Sequence, residues 1–162
     1  MGGATCIFPD QTEYPITEKD LHNGPPHISN DAYAYAKRML DVHSCAYFQQ
    51  YGKKFVSVIP TNIYGEHDNY HLEDAHVIPA LIHKCYLSKK EGKDFVVFGS
   101  GKPLRQFIYS VDLAKLMMWC VENYDDVYPI ILSPNESDEV SIGEVARQIA
   151  TCFDYEDHIS FD

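Results

Sequence analysis

The chain has 162 residues, of which 45% are hydrophobic and 23% charged, values that fit one globular domain with a real core and exclude a disordered segment. Its formal charge of 13 − 24 = −11 excludes a nonspecific nucleic-acid binder, since phosphate contacts need Lys and Arg, but a few local cations still suffice for a diphosphate. No apolar run approaches membrane-spanning length and the start lacks the regions of a signal peptide, so no membrane association and a cytoplasmic location are expected.

The five cysteines, Cys6, Cys45, Cys85, Cys120 and Cys152, form no Cys-x-x-Cys pair, and their scatter fits free thiols in a reducing compartment. In chain order, Ala4 to Phe8 reads as a short buried strand ended by Pro9. Residues 9–30 are rich in Pro, Gly, Asn and His and read as a long functional loop. Ser29 or Asn30 caps a helix over 31–51 that Gly52 stops. Tyr33, Lys37, Leu40, Ser44 and Tyr47 share one face of it, and Met39, His43, Ala46 and Gln50 share another.

Residues 55–60 read as a strand, followed by a polar loop to about Asp74 and a helix over 75–90. Phe95 to Phe98 reads as a strand entering the turn Gly99-Ser100-Gly101-Lys102-Pro103, with 106–109 as the returning strand. A helix over 111–124, a strand over 130–132, a helix over 141–153 and a final strand from Ile159 complete the pattern. Within the third helix, Trp119 lies in an apolar stretch where core burial is expected. Strands alternating with helices predict an α/β fold with parallel strands. No G-x-G-x-x-G turn occurs, so the chain by itself is not expected to be a whole dinucleotide-binding enzyme.

Tyr33 and Lys37 stand four apart, one turn above each other on a helix. An ammonium beside a phenol favours the phenolate, and a phenol so adjusted can pass a proton to a carbonyl oxygen as a hydride reaches carbon. The alternative is a plain amphipathic surface, and Tyr35 competes for the role without the four-residue spacing. Pro60-Thr61-Asn62-Ile63 follows a strand, where ligands of α/β sheets bind; the second half of that loop reads equally as a turn on Gly65 closed by Asp68 or Asn69. Histidines 67, 71, 76 and 83 lack partners at metal-ligand spacing, and no metal is expected. His76 opens a helix, where a neutral imidazole suits acid–base work. Cys6 reads either as a site thiol at a strand end or as core packing. Lys84 and Arg105 are candidate anion partners or solvated cations.

Taken together, the runs Thr5-Cys6-Ile7-Phe8-Pro9, Tyr33-Ala34-Tyr35-Ala36-Lys37-Arg38, Pro60-Thr61-Asn62-Ile63-Tyr64-Gly65, His67-Asp68-Asn69, His76-Val77-Ile78-Pro79-Ala80-Leu81 and Gly99-Ser100-Gly101 resemble the GDP-L-fucose synthase family of extended short-chain dehydrogenases. That resemblance implies the C-terminal part of an NAD(P)-binding Rossmann-type fold without its glycine-rich half, with 1–74 as the catalytic side and 75–162 as mostly substrate-binding. It implies NADP as cofactor, a GDP-sugar substrate and a homodimer. Tyr33 would protonate the C4 ketone, and Lys37 would hold the nicotinamide ribose and tune Tyr33. Residues Pro60, Thr61, Asn62 and Ile63 would line the nicotinamide, together with His76. Cys6 and His76 would move protons at C3 and C5, and Lys84, Phe98 and Arg105 would contact the GDP-sugar. The pattern departs at Ala4, where the family has a catalytic Ser, and at Glu66, which replaces a usual Pro. A non-catalytic truncated product or dimerisation module, or another nucleotide-sugar epimerase or reductase, are the competing readings.

Overall fold

The computed structural model describes residues 4–162, with only the backbone of residues 4 and 5. The Met1-Gly2-Gly3 start and the side chain of Ala4 lie outside what is described. In chain order the regular elements are α1 (Asp31–Tyr51), β1 (Val58–Pro60), β2 (Asn62–Tyr64), α2 (Val77–Glu91), β3 (Phe95–Val97), β4 (Leu104–Arg105), β5 (Phe107–Tyr109), α3 (Ser110–Asn123), β6 (Ile130–Leu132), β7 (Val140–Ser141), α4 (Ile142–Cys152) and β8 (Ile159–Phe161). They divide into two compact units. One holds Tyr64–Phe107 with Pro134–Asp162, and the other holds the described residues up to Ile63 with Ile108–Ser133.

In the second of these units, α1 ends where Gly52 turns left-handed at φ 64 and returns its N–H to the Phe48 carbonyl at 2.9 Å. A Cβ-free residue adopts that conformation without strain, which is why the helix stops there. The buried stripe of α1 is Ala34, Arg38, Asp41 and Ser44, at steps of four, three and three. It shares only Ser44 with the Tyr33–Lys37 face and none of the Met39, His43, Ala46 and Gln50 face, so both of those are largely exposed, and the side facing the core carries hydrogen bonds as well as apolar contacts. Against α1 pack Ile7, Phe8, Leu21 and Ile59. β1 and β6 pair in parallel, with Ile59 opposite Ile131, and α3 leads into β6. A small cluster of Ile108, Leu113, Cys120 and Leu132 seals the inner side of α3.

Three expectations are corrected in detail. Residues 4–8 are not a strand: Ala4–Ile7 form a 3-10 turn, with Ile7 and Phe8 buried as apolar anchors while β1 takes β6 as its partner. Trp119 is half-exposed rather than buried, because the inward stripe of α3 runs Leu113, Leu116, Cys120 and Trp119 falls off it. The 95–98 and 106–109 segments do not form a hairpin. β3 pairs in parallel with β8, Phe95 opposite Ile159, and the Gly99–Pro103 turn leads instead into β4, which pairs antiparallel with β7.

That turn is set by Gly101, whose φ is 66 and where an added Cβ would sit 2.6 Å from the Phe161 ring and 3.1 Å from the Gly143 Cα. The close approach lets the Gly143 N–H reach the Gly101 carbonyl at 2.8 Å. Around it, α2, β3 and α4 enclose the larger core: Leu81, Cys85, Phe95, Val97, Val145, Ala146, Ile149, Ala150 and Tyr155. Full burial of side chains such as Phe95 and Val97 contributes about 1.5–3 kcal/mol each. α4 begins at a reciprocal cap, in which Ser141 donates from both Oγ and N–H to the Glu144 carboxylate at 2.7 Å and accepts from the Glu144 N–H. Those two donors hold the Glu144 carboxyl below the usual carboxylate range.

Candidate active site

α1 presents Tyr33 and Lys37 on its exposed side, with the Lys37 ammonium 5.6 Å from the Tyr33 ring centroid. Tyr35, the rival phenol, is engaged differently: its ring lies 5.7 Å from the Arg38 guanidinium. Helical geometry therefore pairs the lysine with Tyr33, leaving an O–H that solvent or a ligand can reach beside a cation. Such a pair can deliver a proton to an oxygen on which negative charge develops.

The Ala4–Ile7 turn, which carries Cys6, packs on α1 and on β1. Its Cys6 side chain is half-buried, and burial pushes the thiol above its ordinary value. At neutral pH it is a thiol, suited to giving a proton rather than taking one. At the carboxyl end of β1 the Thr61 N–H bonds the Leu132 carbonyl at 3.1 Å, continuing the strand pairing by one residue. The Thr61 side chain is buried, and its Oγ1 has no hydrogen-bond partner among the described residues. An unsatisfied buried hydroxyl costs about 1–3 kcal/mol, so it is a ready partner for a polar ligand group at the strand end. Pro60 and Asn62 beside it are half-buried and Ile63 is exposed.

The other unit places His76, Lys84, Phe98 and Arg105. His76 is the exposed N-cap of α2, with extended backbone and no side-chain cap bond. Lys84, on α2, sits with its Nζ 3.5 Å above the Phe98 ring, and Phe98 itself is 79% exposed. Burial pulls the Lys84 ammonium below its usual value, against an opposing pull from Asp162. Arg105, in β4, is exposed and donates from Nη1 to the Leu104 carbonyl at 2.7 Å. Of the remaining histidines, His83 pairs its Nδ1 with the Tyr70 carbonyl at 2.7 Å, and His71 lies 3.8 Å from Asp74.

Two features escaped the sequence reading. Arg38 lies within a matching run that implies no task for it, although its guanidinium bonds the carbonyls of Ile7 and Gly24. The signal was present: Ala34, Arg38, Asp41 and Ser44 recur at core-facing spacing with polar side chains. The buried, unpaired state of the Thr61 hydroxyl had no signal in the sequence.

Comparison with known proteins adds the following. The model of the NAD dependent epimerase/dehydratase family matches residues 1–132. The chain is 60% identical over 159 residues to a GDP-L-fucose synthase of Dictyostelium discoideum, covering 98% of this chain and 50% of that protein. It is 52% identical to a probable GDP-L-fucose synthase of Drosophila melanogaster, covering 98% and 52%. A GDP-L-fucose synthetase from Naegleria fowleri, solved bound to NADP, superposes with a TM-score of 0.93 at 55% identity, over 98% of this chain and 51% of that one. The chain thus spans about half the length of the curated relatives it matches, and its fold is the α/β, Rossmann-type fold of these relatives. Among the described residues no helix is long and apolar enough to cross a membrane.

Proposed function

We propose, because the chain belongs to the NAD dependent epimerase/dehydratase family, that it carries the catalytic and substrate-side part of an enzyme that makes GDP-L-fucose. The substrate is GDP-4-keto-6-deoxy-D-mannose, epimerised at C3 and C5 and reduced at C4. The observation that carries this reading is the Tyr33–Lys37 contact on the exposed side of α1, the same helix on which the Cys6 turn packs. Likeness to GDP-L-fucose synthases over nearly all of the chain supports the choice of substrate.

The residues fit a nicotinamide cofactor. The unpaired Thr61 hydroxyl lies at the carboxyl end of a parallel strand pair, where such a ligand is held in open α/β sheets. Pro60, Thr61, Asn62 and Ile63 would line the nicotinamide, with His76, and Lys37 would bond its ribose. NADPH held there would supply a hydride to C4. Tyr33 gives its phenolic proton to the C4 oxygen, and the neighbouring Lys37 ammonium stabilises the phenolate left behind. Epimerisation needs a group that removes a proton next to the ketone and one that returns it to the opposite face. Cys6 and the His76 imidazole are the two groups that would carry these protons. Lys84 and Arg105 would meet the diphosphate, and Phe98, with its free face, would stack on the ligand.

The protein is read as cytoplasmic and, at the relatives' length, as a homodimer built on the exposed α1 face of Met39, His43, Ala46 and Gln50. A second reading, a non-catalytic module, is favoured by Ala4 where the resemblance calls for a Ser. The test is made in a protein of the relatives' length that carries this segment with Ala4→Ser. Cys6→Ser should suppress deuterium uptake at C3 and C5 while NADPH oxidation partly survives. Tyr33→Phe should keep the exchange and lose reduction by about a hundredfold or more. Deuterium uptake at the parent rate in the Cys6 variant would reduce the assignment to a plain ketoreductase.

A further inference from the structure

Arg38 follows Lys37 directly, yet its side chain is only 6% exposed. Its Nε donates to the Ile7 carbonyl at 2.6 Å and its Nη1 to the Gly24 carbonyl at 2.7 Å. The two carbonyls stand seventeen residues apart in sequence, at either end of the loop that follows the Cys6 turn. Charge-assisted bonds from a rigid guanidinium fork fix direction as well as distance, which an aliphatic side chain filling the same space cannot do. One turn further along the helix, Asp41 accepts from the His22 ring at 2.8 Å, and the loop closes on itself through the Asp10 N–H to the Pro25 carbonyl at 3.0 Å. Pro9 meets Gly24 so closely that a Cβ there would lie 3.3 Å from it.

We propose that Arg38 is a positioning residue for the Cys6 thiol: from the buried side of α1 it fastens the Cys6–Ile7 backbone to the helix that presents Tyr33 and Lys37. Its relevance to proton transfer rests on the function proposed above, but the clamp itself does not. The buried guanidinium, pulled below its usual value by loss of water, is the expected state of a charge kept for its geometry. Asp41 and His22 tie down the middle of the loop, while the clamp at Ile7 adds a directed bond to the apolar contacts of Ile7 and Phe8 that hold the Cys6 turn on α1 and β1.

The test is alkylation of the 162-residue chain by iodoacetamide. Cys6 is followed by mass spectrometry of its peptide, and exposed Cys152 in the same sample is the reference. In Arg38→Met, Cys6 should react about tenfold faster relative to Cys152, and the pH midpoint of its reaction should fall towards the ordinary thiol value as the thiol gains water. Arg38→Lys, which keeps the charge but reaches one carbonyl, should give a rise of about threefold. Phe95→Leu, a core change in the other unit, should leave the Cys6 rate as in the parent. An Arg38→Met protein with the parent's circular dichroism and the parent's Cys6 rate overturns the proposal. Should that variant not fold, a parent-like rate in Arg38→Lys does the same. Equal acceleration by Phe95→Leu would mean general loosening and also sinks it. These rates depend only on thiol access, so the deuterium experiment can fail while the clamp stands, and the reverse.

Discussion

In the unit that carries Lys84, Phe98 and Arg105, nine buried side chains of α2, β3, α4 and the following turn form one contiguous apolar cluster. In the unit that carries Cys6, Tyr33 and Lys37, nine of the buried apolar residues fall into clusters of five and four, and polar ties run beside them. Arg38 holds two carbonyls, Asp41 holds His22, and Glu18 accepts from the Ile131 N–H at 2.9 Å. Burying area is non-directional, whereas hydrogen bonds lose their value once the donor and acceptor drift. The first unit is therefore stabilised mainly by how much apolar surface it removes from water. The second divides its buried apolar residues between smaller clusters and adds directed bonds that hold a few backbone atoms at set distances, and it is the unit that carries the Tyr33–Lys37 contact.

The contrast breaks or sharpens on three substitutions. Phe95→Ala removes a fully buried ring from the large cluster and is expected to cost about 3–5 kcal/mol, read from the shift of a urea unfolding midpoint. Leu21→Ala, in the polar-tied unit, should cost about 2 kcal/mol, because the surrounding loop can partly close over the space. If it equals or exceeds the Phe95 loss, the distinction between the units is wrong. Ser141→Ala removes the cap of α4 and should cost about 1 kcal/mol at neutral pH. Its effect also has a sign in pH. The Glu144 carboxyl is held below its unfolded value, so the cap's contribution is fully present above the ordinary carboxylate range and fades as pH falls through the lowered one. The gap between parent and variant should therefore narrow in acid, as the Glu144 carboxyl protonates, and a gap that stays constant through the acid limb would refute the linkage.

Much of this fold was legible in the sequence where one local rule dominated. Gly52 marks the end of α1 because it adopts positive φ. The Tyr33–Lys37 contact follows from helical spacing alone. What was not legible depended on distant partners. Phe95–Phe98 reads as the first arm of a hairpin, but its partner is β8, more than sixty residues away, and no local feature distinguishes the two pairings. Residues 4–8 have the apolar content of a strand, yet they anchor a turn through Ile7 and Phe8. Trp119 shows the same limit: composition marks the helix as apolar, while only the positions of its neighbours decide which side is covered.

Lys37 and Arg38 are adjacent in sequence, one turned to solvent and the next to the interior. Successive residues of an α-helix are rotated by about 100°, so the helix must keep one rotational phase for both residues to reach their partners. A single residue inserted between them would turn Tyr33 and Lys37 away from their present outlook or carry Arg38 and Asp41 off the carbonyl and imidazole they hold. Inserting four residues does not restore the phase, since four steps overshoot a full turn by about 40°. Substitutions along the solvent side of α1 leave this phase intact, whereas any change in residue count between positions 33 and 41 disturbs it. The segment is constrained more tightly in length than in composition.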